Sequence, residues 1–211
     1  MKEAETTADC IIFAERIHGC TVLGPYKRSV IWVSGCCFDC EGCIAQNFRH
    51  KEGTVTTVEE MGDWLIGATG EEGITVSGGE PFLQAGPLAQ MISNVREEKD
   101  IGVIVYSGYT YQQLLEKAQS DKGTNSLLKM TDILIDGQYR KDLDDNRPYV
   151  GSSNQKIILL TDRYRNCWGQ YYLKKEGRDV EILLSEGKTL LVGVPANEQQ
   201  QLWKQLNQQY S

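Results

Sequence analysis

The 211-residue sequence has only two histidines and five prolines, and its 29 acidic side chains outnumber its 22 lysine and arginine side chains. The net charge of −7 argues against binding along a nucleic-acid backbone, which requires a surplus of positive charge on one face. No apolar run approaches the ~20 residues of a membrane helix, and the N-terminal sequence lacks the basic-then-apolar order of a secretion signal. We therefore expect a cytoplasmic protein that binds neither nucleic acid nor a membrane.

Motifs for binding nucleotide phosphates are also missing. The sequence has no G-x4-G-K-[ST] loop, and Gly67, Gly70 and Gly73 do not have the G-x-G-x-x-G spacing. Neither a kinase nor a nicotinamide-dependent enzyme is indicated. The acidic run at positions 142, 144 and 145 lacks the later glutamate of a calcium-binding loop, so we expect it to be a solvated surface.

Cysteine is the residue type that stands out. An odd set of seven cysteines in a chain of this length does not suggest a disulfide framework, because disulfide-rich domains are small and use even sets. Four of them fall within eight residues, from Cys36 to Cys43, whereas Cys10, Cys20 and Cys167 stand alone. Metal or redox chemistry is therefore predicted at the clustered cysteines, and the isolated ones are expected to be buried or incidental thiols.

The rest of the sequence alternates short apolar runs with amphipathic stretches. The runs are nearly continuous in Val and Ile, which is typical of strands covered on both faces in a mostly parallel sheet. The predicted strands are Ser29–Val33, Ile74–Ser77, Ile101–Tyr106, Asp132–Ile135 and Lys156–Leu160. The predicted helices are a segment that Thr57 and Glu60 start with a capping box and that runs to Ile66, then Pro87–Glu98 and Thr110–Gln119. This pattern predicts an α/β fold with right-handed βαβ units.

Both ends of the chain are predicted to extend this sheet. The N-terminal strand pair is Cys10–Ile17 and Thr21–Leu23 around Gly19, and the C-terminal hairpin is Val180–Leu184 and Thr189–Val194. The segment Asn197–Tyr210 predicts a helix that docks one apolar face carrying Leu202, Trp203 and Leu206. The polar segment Arg140–Gly151 is expected to be a long loop.

Cys36, Cys40 and Cys43 form a C-x3-C-x2-C motif directly after the first predicted buried strand. Three thiolates on a short loop can curl around a cubane iron–sulfur cluster, and the missing fourth ligand leaves one iron open to a small molecule with an amino and a carboxylate group. Zinc usually takes four protein ligands, and the remaining cysteines and the two histidines do not supply a second pair. Cys37 leaves open a second register, C-x2-C-x2-C.

A second motif, Gly78-Gly79-Glu80-Pro81, follows the next predicted strand. Paired glycines let the backbone approach a ligand closely, and a carboxylate at this place can accept hydrogen bonds from an ammonium group. Taken alone, the segment could be an ordinary turn between a strand and a helix. The two motifs support each other because a single predicted helix separates them.

Together these motifs resemble those of the radical S-adenosylmethionine enzymes. The resemblance covers roughly Gly24 to Ile158 and is greatest to the small activating enzymes of anaerobic ribonucleotide reductases. Gly42 favours that branch, since many other branches carry an aromatic residue before the third cysteine. The family spacing also favours Cys36 over Cys37 as the first ligand. Further similar segments are Ile31–Cys36, Tyr106–Thr110, Leu134–Gly137 and Gly151–Gln155.

The resemblance implies a fold, two cofactors and a set of site residues. The fold is a partial (βα) barrel of mostly parallel strands, with residues 1–211 as a single radical SAM-like domain whose core spans about 24–160, and with the C-terminal hairpin and helix at about 180–210. A [4Fe-4S] cluster is expected on Cys36, Cys40 and Cys43. S-adenosyl-L-methionine is expected to contact the backbone of Gly42 and Ile44, with its ammonium group held by Gly78, Gly79 and Glu80. Contacts to its carboxylate or ribose are expected from Ser107, Asp136 and Gln138, for which strand-end capping is the alternative. Asn154 is a weaker candidate, because Gly-Ser-Ser-Asn also makes a good turn.

The implied activity is reductive cleavage of S-adenosylmethionine to a 5′-deoxyadenosyl radical that abstracts hydrogen from a substrate. The first hypothesis for the substrate is a backbone glycine of a large glycyl-radical protein such as anaerobic ribonucleotide reductase, with a flavodoxin or ferredoxin as the electron donor. Radical modification of a peptide or small molecule stays open, because the segment after Leu160 could shape a different pocket. A non-catalytic iron–sulfur or zinc module is a further alternative, against which the intact Gly-Gly-Glu-Pro element argues.

Overall fold

Residues 9–50, 52–173, 176–185, 188–196, 199–203 and 205 are described by a computed structural model of the chain. Their strands are β1 Cys10–Cys20, β2 Arg28–Val33, β3 Thr54–Thr57, β4 Gly73–Gly78, β5 Gly102–Tyr106, β6 Ile133–Asp136, β7 Lys156–Leu159, β8 Val180–Ser185 and β9 Lys188–Gly193. Seven of them form one sheet in the order β3-β1-β2-β4-β5-β6-β7, and β8 and β9 form a separate two-stranded sheet. The predicted α/β class is confirmed, with a sheet of mixed strand direction.

Four neighbouring strands form the parallel part of the sheet. β2 pairs with β4, β4 with β5 and β5 with β6, all in parallel. Each of these strands lies within one residue of its predicted bounds. Their carboxyl ends meet at one edge of the sheet, and ligands of open α/β sheets bind outside that edge. The fourth predicted crossover is different, because β7 pairs antiparallel with β6.

The predicted N-terminal strand pair is wrong. Residues 10–20 form one long strand, β1, which pairs antiparallel with β2 on one side and β3 on the other. The segment after it bends across to β2, and Val22 and Leu23 are buried there. These two residues are apolar because they are buried in a bend, and not because they belong to a strand.

Helices cover one face of the sheet. They are α1 Val58–Ile66, α2 Ala85–Glu98, α3 Tyr111–Lys117 and α4 Lys122–Met130. A short fifth helix, α5 Arg165–Trp168, packs on the opposite face, against Ile104 and Ile133. The capping box of Thr57 and Glu60 is confirmed. α2 begins two residues before Pro87, because the 3-10 turn Pro81–Gln84 leads directly into it. α4 was not predicted, although Asp121 caps it by accepting from the amides of Gly123 and Thr124. No helix in the described ranges is long and apolar enough to cross a membrane.

Alternate residues of each parallel strand face opposite sides of the sheet. The outward set, such as Val33, Val76 and Val105, packs in the main core with helices α1, α2 and α4. The other set includes Trp32 and Tyr106, which pack in two smaller clusters on the face that these helices leave free. We call this second side the inner face.

The C-terminal segment covers the inner face and does not extend the sheet, so that prediction is wrong. Leu183, Leu190 and Val192 of the β8–β9 hairpin pack with Val30 and Trp32 of β2. The physical reason is burial, since helices α1 to α4 pack on the other face and leave the apolar side chains of Val30 and Trp32 to be covered by the hairpin. Residues 199–203 and 205 are helical, as predicted, but Leu202 is 58% exposed and does not dock, and Leu206 lies outside the described residues. The predicted loop at 140–151 is confirmed, with one short 3-10 turn at Lys141–Leu143.

Candidate metal centre

The cysteine motif lies on a closed loop at the carboxyl end of β2. The loop is pinned at its base, because the amides of Gly35 and Cys36 donate to the carbonyls of Phe48 and Arg49 at 2.9 and 3.0 Å. Gly35 has a φ of +92°, a left-handed conformation that glycine adopts without strain. Two ion pairs brace the loop from outside: Asp39 with Arg49 at 2.6 Å and Glu41 with Lys141 at 3.3 Å. The sequence between residues 35 and 49 is thereby held as one unit.

Cys36, Cys40 and Cys43 are all partly buried on this loop. Burial raises the pKa of the Cys36 and Cys40 thiols, because removal from water disfavours the thiolate. A bound cation compensates for that cost, since metals bind the thiolate form. Among the described residues, no three His, Cys, Asp or Glu side chains converge on the position of a single metal ion. A cubane cluster is wider than one ion and holds its cysteines further apart, so the donor set of three spaced thiols fits the cluster.

Cys37 has a different environment from its three neighbours. Its side chain is exposed, and its sulfur lies 3.3 Å from the hydroxyl of Tyr109. Cys10 and Cys20 lie on β1, and Cys167 lies on α5, away from the loop in the fold. Cys20 is fully buried, and desolvation raises its pKa to about 11. These surroundings support the expectation that the four remaining cysteines are not ligands.

The Gly-Gly-Glu element packs directly against the base of the cysteine loop. The amides of Gly79 and Glu80 donate to the carbonyls of Val33 and Gly35, both at 2.8 Å. A Cβ atom on Gly79 would lie 2.0 Å from the carbonyl oxygen of Gly35, so only glycine fits there. Gly78 has a φ of +103°, and a Cβ atom on it would lie 2.5 Å from the backbone nitrogen and oxygen of Val33. The two motifs found in the sequence therefore share one site at the carboxyl edge of the sheet.

Glu80 points its carboxylate into the protein. The side chain is fully buried and accepts hydrogen bonds from the amide of Phe82 at 2.9 Å, the hydroxyl of Ser107 at 2.9 Å and the amide of Gly108 at 2.7 Å. Burial raises its pKa to about 7, and these three hydrogen bonds oppose that shift. Glu80 thus links the ends of β4 and β5.

Ser107 and Asp136 also make contacts within the protein. Ser107 is buried and, besides its bond to Glu80, accepts from the amide of Tyr109 at 3.1 Å. Asp136 is buried at the end of β6, where its carboxylate accepts from the amides of Tyr111 at 2.7 Å and Lys156 at 3.1 Å. Both residues have the strand-end capping contacts that the sequence left open as the alternative.

Gln138 is the predicted contact residue that reaches the cysteine loop. It is exposed, and its Oε1 lies 3.9 Å from the sulfur of Cys40. Asn154 holds the backbone of Gln138, because the side-chain amide of Asn154 donates to the backbone carbonyl of Gln138 at 2.8 Å. Asn154 therefore has a positioning role in this arrangement.

The loop after β5 closes one side of the site. The Phe38 and Tyr109 rings meet edge to face with centroids 4.8 Å apart. A Cβ on Gly108 would overlap the Phe38 ring at 2.4 Å, so glycine at this position lets the two loops touch. This aromatic contact joins the loop after β5 to the first part of the cysteine loop, where the Cys37 side chain stays exposed.

A groove opens on the other side, beside the third cysteine. Its outer part is a cavity of about 510 Å³ and its inner part a cavity of about 130 Å³, and both are lined by Gly42, Cys43 and Ile44. The structure therefore places the predicted residues Gly42 and Ile44 at an open space beside Cys43, the third cysteine of the motif. It adds Trp32, Tyr106 and Tyr139, which the sequence reasoning missed. The sequence signal that could have found two of them is an aromatic residue in an otherwise aliphatic strand, Trp32 in β2 and Tyr106 in β5.

Comparisons with known proteins agree with this geometry. Residues 22–158 match the family described as "4Fe-4S single cluster domain". The anaerobic ribonucleoside-triphosphate reductase-activating protein of Enterobacteria phage T4 is 31% identical over 158 residues, which cover 70% of this chain and 94% of that protein. The chain belongs to this activating-protein family. Proteins of the same name from Vibrio cholerae and Escherichia coli K12 are 30% and 27% identical, and the matches cover 66% of this chain and 92% of each relative.

Membership of the activating-protein family identifies the chain as an enzyme of the radical SAM activase type with a 4Fe-4S domain. The family relationship agrees with the resemblance found from the motifs, including the extent of the matched core. The segment after residue 158 lies outside the match to the 4Fe-4S family. The β8–β9 hairpin and the helical residues 199–203 belong to that segment, which we call the C-terminal extension.

Proposed function

We propose that this chain activates an anaerobic ribonucleotide reductase by abstracting a hydrogen atom from a backbone glycine of that protein. The observation that supports this proposal best is that the two motifs form one site. The loop of Cys36, Cys40 and Cys43 is hydrogen-bonded at its base to the segment of Gly78 and Gly79. The names of the relatives support activation over modification of a peptide or small molecule, and over a non-catalytic module.

The cofactor part of the proposal assigns the cluster to the three cysteines of the loop. Three thiolates leave one iron for S-adenosylmethionine, which supplies a 5′-deoxyadenosyl radical when it is bound to the reduced cluster. The three partly buried thiols and the glycines that allow close backbone approach fit both groups. Reduction requires an electron donor of low potential, for which we propose a flavodoxin or ferredoxin.

The chain's own residues bind and orient the cofactor in this proposal. Gly78 and Gly79 hold its ammonium group through their backbone, and Glu80 fixes them by its contacts to the β5 loop. Gly42 and Ile44 approach the cofactor from the cysteine loop. Gln138, near Cys40, is the residue best placed to contact its carboxylate or ribose. Ser107 and Asp136 hold the strand ends in place and act through these neighbours.

The inner face is proposed to keep the reaction away from water. A carbon-centred radical reacts with any group nearby, so the site must be dry and the target atom in contact. The Phe38–Tyr109 pair and the β8–β9 hairpin cover two sides of the site. We also propose that the sheet is the partial barrel of the radical SAM enzymes and that residues 1–211 form one domain. The free cysteines fit a reducing, cytoplasmic compartment.

The test is anaerobic reconstitution followed by activation of the reductase from the same organism. We expect about four iron and four sulfide per chain. With a strong reductant and S-adenosylmethionine, we expect release of 5′-deoxyadenosine and an organic radical signal on the reductase by electron paramagnetic resonance. Release of 5′-deoxyadenosine without that signal would favour a different substrate. A reconstituted protein that releases none would defeat the proposal.

A further inference from the structure

The groove beside Cys43 has walls from two distant parts of the sequence. One wall is the second half of the cysteine loop, from Gly42 to Phe48. The opposite wall comes from the C-terminal extension, through Leu190 to Gly193 of β9 and through Trp203. The match to the 4Fe-4S family ends at residue 158. Seven of the 18 residues that line the outer part of the groove therefore lie beyond the matched family core.

The extension is held firmly against the core. Arg178 is buried and forms an ion pair with Asp144 at 2.8 Å, and it also donates to the Gly151 carbonyl at 2.6 Å. At the start of β8, the amide of Thr21 donates to the Glu181 carboxylate at 3.1 Å. Val192 is 1% exposed. These contacts make the wall a fixed part of the site.

The inner end of the groove contains a polar group with no hydrogen-bond partner among the described residues. The Tyr106 hydroxyl is buried there, and no atom of the residues that the structure describes accepts from it or donates to it. An unsatisfied buried hydroxyl is unfavourable and uncommon, so its presence in a cavity indicates a ligand that completes the bond. Tyr106 lies on the inner face at the end of β5, and the third cysteine lines the same cavity.

We propose that the substrate segment binds in this groove, with Trp203 as part of its outer wall and the Tyr106 hydroxyl bonded to its peptide backbone at the inner end. The inference rests on the proposed function, and it assigns substrate positioning to the C-terminal extension and to Tyr106. The groove is continuous with the site, because Gly42, Cys43 and Ile44 line both of its parts.

An extended peptide is the occupant that fits these walls. Trp32 and Trp203 supply apolar surface, while Gln46 and Gln200 supply amides that can pair with exposed backbone groups. An outer volume of about 510 Å³ is that of a small-ligand site, so it admits a short segment of the partner and not a folded domain. The substrate is then recognised by its backbone and by the narrowness of the groove.

The test uses the reconstituted full chain, S-adenosylmethionine and the purified anaerobic ribonucleotide reductase of the same organism. For Tyr106→Phe we expect the KM for the reductase to rise about 3- to 10-fold, the effect of losing one neutral hydrogen bond. Trp203→Ala is expected to raise it about 10-fold, because a bulky aromatic wall is lost. Calorimetric affinity for S-adenosylmethionine is expected to stay within about twofold of the wild-type value, since neither residue contacts the cofactor in this proposal.

Two matched variants serve as controls. Tyr149→Phe also removes the hydroxyl of a buried tyrosine, but that hydroxyl donates to the Tyr171 carbonyl at 3.3 Å. We expect a lower melting temperature and an unchanged KM for this variant. Tyr106→Phe is expected to melt at the wild-type temperature or above, because it removes an unsatisfied group. Leu202→Ala, at an exposed position of the same helical segment as Trp203, is expected to leave the KM unchanged.

Three outcomes would overturn the inference. The first is an unchanged KM in both Tyr106→Phe and Trp203→Ala, and the second is weaker cofactor binding with an unchanged KM, which would place the cofactor in the groove. The third is a lower melting temperature in Tyr106→Phe with no effect on KM, which would show a structural partner for the hydroxyl. Failure of the wild-type chain to release 5′-deoxyadenosine would defeat the proposed function instead, so the two failures are distinguishable.

Discussion

The hydroxyl of Ser107 donates a 2.9 Å hydrogen bond to the buried carboxylate of Glu80 and so joins the end of β5 to the end of β4. The same carboxylate accepts from the Gly108 amide, and the Glu80 amide donates to the base of the cysteine loop. Through its carboxylate and its backbone amide, Glu80 therefore joins three loops at the site. In the proposed function it positions Gly78 and Gly79, which hold the ammonium group.

Glu80 is expected to make stability depend on pH. Burial raises its pKa in the folded protein to about 7, from an ordinary value of 4.5. The folded state then binds more protons than the unfolded state between these values, so the free energy of unfolding falls as pH rises through this window and levels off above it. The fall is up to ~3 kcal/mol. Denaturant unfolding of the metal-free protein from pH 5 to 8 checks this.

Glu80→Gln is the matched variant for that measurement. Glutamine keeps the shape of the side chain but cannot titrate. Its NH2 group replaces one carboxylate oxygen, so it faces a backbone amide that now has no acceptor. We expect the stability difference between wild type and variant to shrink as the pH rises from 5 to 7.5, and the variant to lose ~1–3 kcal/mol at the lower pH. A difference that is independent of pH would show that Glu80 has an ordinary pKa.

The cysteine variants test the ligand assignment. Cys40→Ala is expected to abolish the cluster, because two thiolates cannot hold it, whereas Cys37→Ala is expected to keep the wild-type iron content. The exposed position of Cys37 next to Tyr109 is the structural reason. Iron and sulfide analysis with absorption spectra after anaerobic reconstitution makes the comparison. A cluster that survives Cys36→Ala and is lost in Cys37→Ala would reverse the choice of the first ligand.

Substitutions of Gln138 and Asp136 are expected to affect different properties, the first cofactor binding and the second stability. Gln138→Ala removes an exposed side chain near Cys40, so we expect about 3- to 10-fold weaker binding of S-adenosylmethionine with an unchanged melting temperature. Asp136→Asn loses an acceptor for a backbone amide and is expected to cost ~1–2 kcal/mol of stability. Calorimetry on the reconstituted proteins and thermal unfolding separate the two effects. The reverse pattern would make Asp136 the contact residue and Gln138 a surface side chain.

Arg28 is expected to be the most sensitive position away from the site. It is fully buried near the amino ends of β4 and β5, where it donates to the carbonyls of Ile74 at 2.7 Å and Gly102 at 2.9 Å and pairs with Glu72 at 2.8 Å. Arg28→Met removes a buried donor from the Ile74 and Gly102 carbonyls and breaks the ion pair with Glu72, so we expect a loss of ~3–5 kcal/mol in urea unfolding.

Arg165→Ala is the control for Arg28. Its ion pair with Asp162 is largely exposed, and such pairs contribute ~0–1 kcal/mol. Activity per folded molecule is expected to be unchanged in Arg165→Ala. Equal losses in the two variants would show that burial of Arg28 does not stabilise the fold.

Local features of the fold could be predicted well. The parallel strands were found because their residues are nearly all apolar, and α1 was found because Thr57 and Glu60 form a capping box within four residues. Helix α4 was missed because Gly123 and Asn125 lower its helix propensity, and packing against α2 compensates for that. The hairpin was predicted from its own sequence, but its placement was wrong.

The sequence by itself determined the motifs on which the proposed cluster site depends, since three thiols at fixed spacing and two adjacent glycines are local properties of the chain. Only the tertiary structure decided that Glu80 binds the β5 loop, that the C-terminal extension covers the inner face and that the Tyr106 hydroxyl has no partner among the described residues. These features depend on contacts between residues far apart in the chain, and neither periodicity nor motif spacing encodes which distant surfaces are buried against each other.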